Sequence, residues 1–66
     1  MVKPLTPRQL DILRLVAAGK TDKQIAQMLH IAERTMRYDL QLICDQLGVN
    51  TRIEAVAQAL RLELIA

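Results

Sequence analysis

The side chains best suited to chemistry lie close together between Glu33 and Leu47. Arg34, Arg37 and Gln41 are three and four residues apart and Tyr38 follows Arg37, so on a helix they would share one face. Arginine can donate two hydrogen bonds to guanine, glutamine can pair with adenine, and tyrosine can reach a phosphate or a thymine methyl group. Such a row would suit the major groove of DNA. A solvated helix face with ordinary surface charges is the open alternative.

The charge of this segment limits how tightly it could hold DNA alone. It carries two arginines against three carboxylates, Glu33, Asp39 and Asp45, a net charge of −1. Affinity for DNA comes largely from cations that neutralise phosphates. Lys20 and Lys23, near the start of the preceding predicted helix, are placed to supply such cations, and the amides of that helix N-terminus could also hold a phosphate.

The composition argues against several classes of protein. A chain of 66 residues is too short for a two-lobed enzyme with a deep cleft. One cysteine and one histidine provide neither a disulfide nor a metal-ligand set, so we expect no catalytic residue, metal or cofactor. No apolar run approaches the ~20 residues of a membrane span and no signal peptide is evident, so we expect a cytoplasmic, nucleoid-associated protein. The net charge of +2 permits a nucleic-acid partner without requiring one.

Helix starts are marked by one repeated pattern, a threonine three residues before a glutamine or glutamate. This is the capping box, in which each residue satisfies an amide of the other. The boxes are Thr6–Gln9, Thr21–Gln24 and Thr51–Glu54. Gly19 and Gly48 suit the left-handed residues that end helices, whereas Ala32 leaves the third helix without a capping side chain. The predicted helices run from Pro7 to Ala18, from Asp22 to Leu29, from Glu33 to Leu47 and from Arg52 to Glu63.

Each predicted helix carries an apolar stripe, which predicts an all-α fold. The stripes are Leu10, Leu13, Val16 and Ala17; Ile25, Ala26 and Leu29; Met36, Leu40, Ile43 and Leu47; and Ala55, Val56, Ala59 and Leu60. Short turns between amphipathic helices give a compact four-helix domain, with the second and third helices as a helix-turn-helix. We place a lead-in at residues 1–5 and the domain at residues 6–66.

The C-terminal part is more apolar than an isolated monomer surface needs. The residues concerned are Leu42, Ala55, Ala59, Leu60, Leu62 and Leu64. A homodimer, a missing partner domain or additional core would each explain them. We expect the fourth helix to be the dimer element, with Ala55, Ala59 and Leu62 in the interface.

Four single residues admit simple structural roles. His30 suits a turn, because histidine tolerates the left-handed region, and Cys44 suits a small apolar filler. Asp22 is interpreted as a solvated charge that also suits a helix N-terminus. Asp39 either bonds locally beside the core or accepts a hydrogen bond from a cytosine amino group, and we favour the local role.

A longer series of residues at fixed spacing runs along almost the whole chain. It comprises Leu5–Arg8, Ile12–Thr21, Lys23–Ala26, Leu29, Ile31, Glu33–Arg37, Leu40, Leu47–Val49, Thr51–Arg52 and Glu54–Val56. In this order and spacing the chain resembles the LuxR-type (GerE-like) DNA-binding domain from Leu5 to Ile65, without a gap.

The resemblance implies a helix-turn-helix whose third helix enters the major groove of double-stranded DNA. It also implies a homodimer, formed through the fourth helix, on inverted half-sites in bacterial promoters. By position it implies that Arg37, Tyr38 and Gln41 face bases and that Thr21, Lys23, Arg34 and Thr35 lie near phosphates. RNA polymerase, or a sensor or receiver domain, is a further partner consistent with the family.

Several positions depart from the family pattern and lower the positive charge of the third helix. His30 stands for a glycine, Ala32 for a serine-like cap, Asp39 for a histidine, Cys44 for an aromatic residue, Gln46 for a basic residue and Gln9 for a glutamate. Our leading hypothesis is sequence-specific DNA binding by a homodimer in bacterial transcription regulation. The alternative is a protein-interaction module of the same fold, with weak or no DNA affinity, that heterodimerises with and modulates another regulator. Either a free-standing regulator or an excised fragment fits a chain with so short a lead-in.

Overall fold

Four helices make up the part of the chain that the structure describes. The computed structural model describes residues 5–66, so the first four residues of the predicted lead-in lie outside it. The helices are α1 (Pro7–Ala17), α2 (Asp22–Leu29), α3 (Glu33–Leu47) and α4 (Arg52–Arg61). No strand occurs within residues 5–66, so the all-α fold with a helix-turn-helix at α2 and α3 is confirmed.

Two of the three capping boxes are complete. Thr6 with Gln9 and Thr21 with Gln24 exchange both hydrogen bonds, at 2.9 and 3.1 Å in each box. At α4 the Thr51 hydroxyl accepts from the Glu54 amide at 3.1 Å, but the Glu54 carboxylate accepts from that hydroxyl instead of from the Thr51 amide. Thr51 has a φ of −130°, against −72° and −76° at the other two caps, and this more extended backbone turns its amide away.

The helix ends show which residues tolerate a left-handed backbone. Gly19 and Gly48 have φ values of 83° and 70°, and His30, with a φ of 57°, is the turn residue that its type predicts. Glu63 also adopts φ 59°, and the Leu64 amide donates to the Ala59 carbonyl at 2.8 Å. This hydrogen bond closes α4 at Arg61, so the prediction that α4 continues to Glu63 is wrong.

The core lies where α1, α3 and α4 meet and where α2 packs on α3. Its members are Ile12, Leu13, Ile25, Ala26, Met36, Leu40, Ile43, Cys44, Ala55, Ala59 and Ile65. Two predicted stripe residues, Ala17 and Leu60, are exposed. Ile12 and Ile65, which none of the predicted stripes includes, are buried in the core. Because α1 packs against all three other helices, its buried face is wider than one stripe, and the turn at Glu63 brings Ile65 back to the core.

Burial corrects the predicted dimer interface. Ala55 and Ala59 have no exposed surface, and α4 packs on α1 and α3 through this face. Neither side chain can therefore touch a second copy of the domain, and this part of the prediction is wrong. Leu62, by contrast, is 54% exposed and stays a candidate for such a contact.

Asp39 has a tertiary role. Its side chain is almost fully buried, and its Oδ2 lies 2.7 Å from Nε of Arg8 in the first turn of α1. Within residues 5–66 no donor is aligned on this oxygen well enough for a hydrogen bond, so the contact with Arg8 is a close ion pair. Asp39 thus joins α3 to α1, neither bonding locally nor facing outward toward a cytosine.

We predict that Ala32→Ser stabilises the domain. Ala32 precedes α3 with φ −70° and ψ 149°, an N-cap geometry without a side-chain hydrogen bond. A serine hydroxyl there could accept from an orphan amide, which typically contributes about 0.5–1 kcal/mol. For a chain of this size that corresponds to a rise in Tm of about 2–8 °C in a thermal scan. Ala18→Ser, at the exposed C-cap of α1, is the matched control and should change the Tm little; equal gains in both variants would contradict the capping explanation.

Candidate nucleic-acid interface

The outward face of α3 is uncovered by the rest of the described chain. The Arg37 side chain is 54% exposed and Tyr38 is 63% exposed, and Arg34 and Gln41 are exposed on the same side. The opposite side holds Met36, Leu40 and Ile43 in the core. Burial of one face of a rigid helix presents the other to solvent, so the three residues predicted to read bases are accessible together.

Two carboxylates on α3 contact two of these side chains, Arg37 and Gln41. These contacts were not among the sequence-based predictions. Nη1 of Arg37 lies 3.4 Å from Oε2 of Glu33, one turn earlier. Nε2 of Gln41 donates to Oδ1 of Asp45, one turn later, at 3.1 Å. Both are spacings of four residues, at which side chains on a helix are neighbours. The spacing alone was the available signal.

The start of α2 lies beside this face. Lys20, Thr21 and Lys23, which were predicted to lie near phosphates, are exposed there. Arg52, which donates to Asp22 in the first turn of α2, lines one groove together with Arg37, so the start of α2 is near this face. The remaining predicted phosphate contacts, Arg34 and Thr35, differ in burial: Arg34 is exposed and Thr35 is half-buried.

Asp22 joins the starts of α2 and α4. Its two carboxylate oxygens accept from Nη1 and Nη2 of Arg52, at 2.6 and 3.3 Å. The hydrogen bond from Arg52 lowers the pKa of Asp22, and the same bond raises the pKa of Arg52. The prediction that Asp22 is a solvated charge is therefore wrong, because Asp22 is half-buried in a two-point ion pair.

A groove between α3 and the start of α4 continues this surface. It has a volume of about 270 Å³ and is lined by Arg37, Leu40, Gln41, Cys44, Asn50 and Arg52. No local pattern in the sequence links Asn50 and Arg52 to this site, because they lie in the turn before α4 and at its start and approach Arg37 and Gln41 only through the packing of α4. Because Arg37 and Gln41 of the α3 row also line the groove, the groove is part of the same candidate interface.

Cys44 forms the floor of this groove and is not set up for reaction. Burial, reinforced by the charge of Asp45, raises the pKa of the Cys44 thiol, which therefore stays protonated at neutral pH. Its Sγ lies 3.8 Å from the Thr51 carbonyl, with the distance and direction of a weak hydrogen bond. Among the described residues no three His, Cys, Asp or Glu side chains are grouped as metal ligands would be.

Comparison with known proteins decides the family. A sequence model described as "Bacterial regulatory proteins, luxR family" matches residues 3–59. The chain belongs to the LuxR family. Consistent with this, the transcription factor GerE superimposes with a TM-score of 0.92 at 31% identity, covering 97% of both chains. The response regulator ChrA of a heme-sensing two-component system gives a TM-score of 0.91 at 33% identity over 96% of this chain and 31% of its own.

Curated relatives of this LuxR-family chain are transcriptional regulators. The transcriptional regulatory protein DesR of Bacillus subtilis is 45% identical over 56 residues, and the quorum sensing-dependent transcriptional regulator VjbR of Brucella ovis is 48% identical over 61 residues. These matches cover 85% and 92% of this chain but only 28% and 24% of the relatives, so the chain spans about a quarter of their length. The relatives place the chain among domains for DNA binding and transcription regulation, not among enzymes. Within residues 5–66 no helix is long and apolar enough to cross a lipid bilayer.

We predict that the Asp22–Arg52 pair stabilises the domain in a pH-dependent way. Because the folded-state pKa of Asp22 is lowered, its contribution is present above the unfolded value of about 3.9 and is lost as the pH falls through the folded value. A double-mutant cycle of Asp22→Asn and Arg52→Gln, measured by urea unfolding, should give a coupling of about 0.5–1 kcal/mol at pH 7 for this partly exposed pair. The coupling should shrink as the pH is lowered below about 4.

The pair of Asp11 and Arg14, exposed and three residues apart on α1, is the matched control. Its cycle should give about 0.3 kcal/mol, as isolated helical pairs do. A coupling for Asp22 and Arg52 no larger than this control, or one rising on acidification, would contradict the assignment.

Proposed function

We propose that this LuxR-family domain binds double-stranded DNA sequence-specifically in bacterial transcription regulation, with α3 in the major groove. The observation that carries the proposal is the uncovered row of Arg37, Tyr38 and Gln41 on α3. Arginine and glutamine can each make two hydrogen bonds to a purine edge, and tyrosine adds a hydroxyl and an apolar ring. Since these side chains project from one rigid helix, they could contact neighbouring base pairs at once.

The phosphate contacts would come from the start of α2 and from the flank of α3. Lys20, Lys23 and Arg34 are exposed and form no ion pair within residues 5–66, so their charges are available to phosphates. Thr21 caps α2, and the amides that follow it point out of the helix N-terminus, which favours an anion. Thr35, half-buried on α3, would reach a phosphate only at the edge of the interface.

A homodimer would supply the affinity that one copy lacks. On α4, Ile53 is 79% exposed and Leu60 is 46% exposed, and their spacing of seven residues puts them on one face. Ile53 and Leu60 thus form an apolar strip that a second copy could cover, whereas Leu62, 54% exposed two residues after Leu60, lies on another side of the helix. Twofold symmetry would then call for inverted half-sites about 34–36 Å apart, and joining two weak sites raises the affinity well above that of either.

Charge balance supports a second candidate, a protein-interaction module that modulates another regulator. With Asp39 paired to Arg8, the outward side of α3 carries two arginines against Glu33 and Asp45. Such a balance favours DNA less than the basic helices of strong DNA binders do. The two candidates differ in salt dependence, because a DNA binder loses affinity steeply as salt increases and an interaction module binds no DNA even at low salt.

Selection of bound duplexes from a random pool is the direct test of DNA binding. The purified domain should enrich one roughly palindromic sequence, and the measured affinity for it should fall steeply with salt. An unenriched pool, with no binding at low micromolar protein in about 50 mM salt, would overturn the proposal in favour of the interaction module.

We predict that Arg37→Ala and Lys23→Ala weaken DNA binding in different ways. Arg37→Ala should relax the preference at one base pair by about 1–3 kcal/mol, because it removes a base contact. Lys23→Ala should weaken binding to all sequences similarly and reduce the salt slope by about one. Fluorescence anisotropy on the selected duplex and its single-base variants measures both. If both variants bound the selected duplex as the wild type does, this docking of α3 would be wrong.

We predict that Leu60→Glu separates dimerisation from base reading. A carboxylate in a covered apolar surface is costly, so the variant should lose at least about tenfold in affinity for a duplex with two half-sites. Its affinity for a single half-site should stay within about twofold of the wild type, because Leu60 lies at the far end of α4 from Arg52. Met28→Glu, at a similarly exposed apolar position on α2, is the control and should leave the sedimentation coefficient unchanged. Unchanged sedimentation of Leu60→Glu alongside a dimeric wild type would exclude α4 as the dimer element.

A further inference from the structure

Two of the predicted base-reading side chains, Arg37 and Gln41, each contact a carboxylate of the same helix. Glu33 lies one turn before Arg37, and Asp45 lies one turn after Gln41. The two carboxylates thus flank the row at its two ends, whereas Tyr38, between them, has no such partner among the described side-chain hydrogen bonds. Of the acidic residues on α3, the remaining one, Asp39, is buried against Arg8 and takes no part.

The contact with Glu33 leaves Arg37 able to contact a base. A guanidinium has five N–H donors in a planar fork, and the ion pair to Oε2 of Glu33 engages Nη1. Its Nη2 and Nε have no hydrogen-bond partner among the described residues, so both can donate to the two acceptors on a guanine edge. Because the fork is planar, holding one nitrogen restricts the plane in which the other donors point.

The contact with Asp45 orients the amide of Gln41. A carboxylate only accepts hydrogen bonds, so the nitrogen end of the Gln41 amide must face Asp45, at 3.1 Å, and the oxygen end must face away. The second N–H and the carbonyl oxygen remain available. Together they match the acceptor and donor on an adenine edge, so the amide is presented in one of its two orientations.

We propose that Glu33 and Asp45 are positioning residues that set the base specificity of α3. Each holds a base-reading side chain in the orientation used on DNA, so less side-chain freedom is lost on binding the correct sequence. Each also places a negative charge beside the DNA phosphates, which weakens binding to every sequence alike. The net result is a domain that gives up general affinity and gains discrimination. The inference rests on the proposed function, because it concerns the same surface.

Glu33→Gln and Asp45→Asn test the proposal, since both keep the side-chain shape and remove the charge. On duplexes unrelated to the selected site, each variant should bind about two- to fivefold more tightly than the wild type. The base pair contacted by Gln41 is identified as the one whose preference Gln41→Ala relaxes, and the base pair contacted by Arg37 is identified in the same way. Asp45→Asn should reduce the preference between bases about two- to threefold at the Gln41 base pair and leave it unchanged at the Arg37 base pair. Glu33→Gln should show the converse pattern.

A double-mutant cycle separates positioning from a general effect of charge or of helix stability. Either general effect would change the binding of Asp45→Asn whether or not Gln41 is present. In a Gln41→Ala background, Asp45→Asn should cause no further loss of discrimination, because the side chain that it positions is absent. Asp11→Asn, which removes an exposed carboxylate paired within α1, is the control and should leave discrimination unchanged. Urea unfolding of each variant shows that the domain is folded under the binding conditions.

The outcomes distinguish this inference from the proposed function. If the wild type enriches no duplex, the proposed function fails and the inference fails with it. If the wild type discriminates but Asp45→Asn and Glu33→Gln keep its discrimination at every base pair, only the positioning role is overturned, and the carboxylates act as general negative charge. Loss of discrimination confined to the matching base pair establishes the positioning role.

Discussion

One face of α3 is buried in the core, and this burial fixes which way the helix is turned about its axis. Met36, Leu40 and Ile43 are packed by all three other helices, and a chain this short has no second core to take them. With those three side chains inside, the helix has a single rotational setting about its axis. The row containing Arg37 and Gln41 must then face away from the domain, whatever surface residues surround it.

Small residues let the other helices come close enough to hold α3 in that setting. Ala26 on α2 and Ala55 and Ala59 on α4 are buried where these helices pack against the core. A larger side chain at any of them would push a helix outward, since packed interiors tolerate little added volume. Close packing therefore requires small apolar residues on the buried face of α4. The larger apolar residues Ile53 and Leu60 lie on its exposed face.

The acidic residues of this LuxR-family chain differ in which side chains they pair with and in where those pairs lie. Asp39 is buried against Arg8, away from the candidate interface, whereas Asp22 pairs with Arg52 at the edge of that interface. Glu33 and Asp45 stay on the exposed face, where each contacts a side chain of the row. The carboxylates of α3 are therefore either buried away from the row or in contact with one of its side chains.

Local interactions explain how much could be predicted from the sequence. Capping boxes, left-handed glycines and the apolar spacing of α3 involve residues within four positions of each other, so they predicted three helix starts and the outward row correctly. The residue order likewise indicated the LuxR family, which the family match confirms. Even the unusual turn at His30 followed from its residue type.

Contacts between residues of different helices depend on how the helices pack, which local sequence does not specify. Arg52 and Asp22 are thirty positions apart, and nothing local to either residue indicates the other. The same holds for Arg8 with Asp39, and for the burial of Ala55 and Ala59, which their small apolar side chains left open to either a core or an interface. Local sequence thus determined the helices and the row that α3 carries, because hydrogen bonds and side-chain spacing within a turn suffice for both. The partners of each charge were decided by packing, which brings distant parts of the chain within a few ångströms.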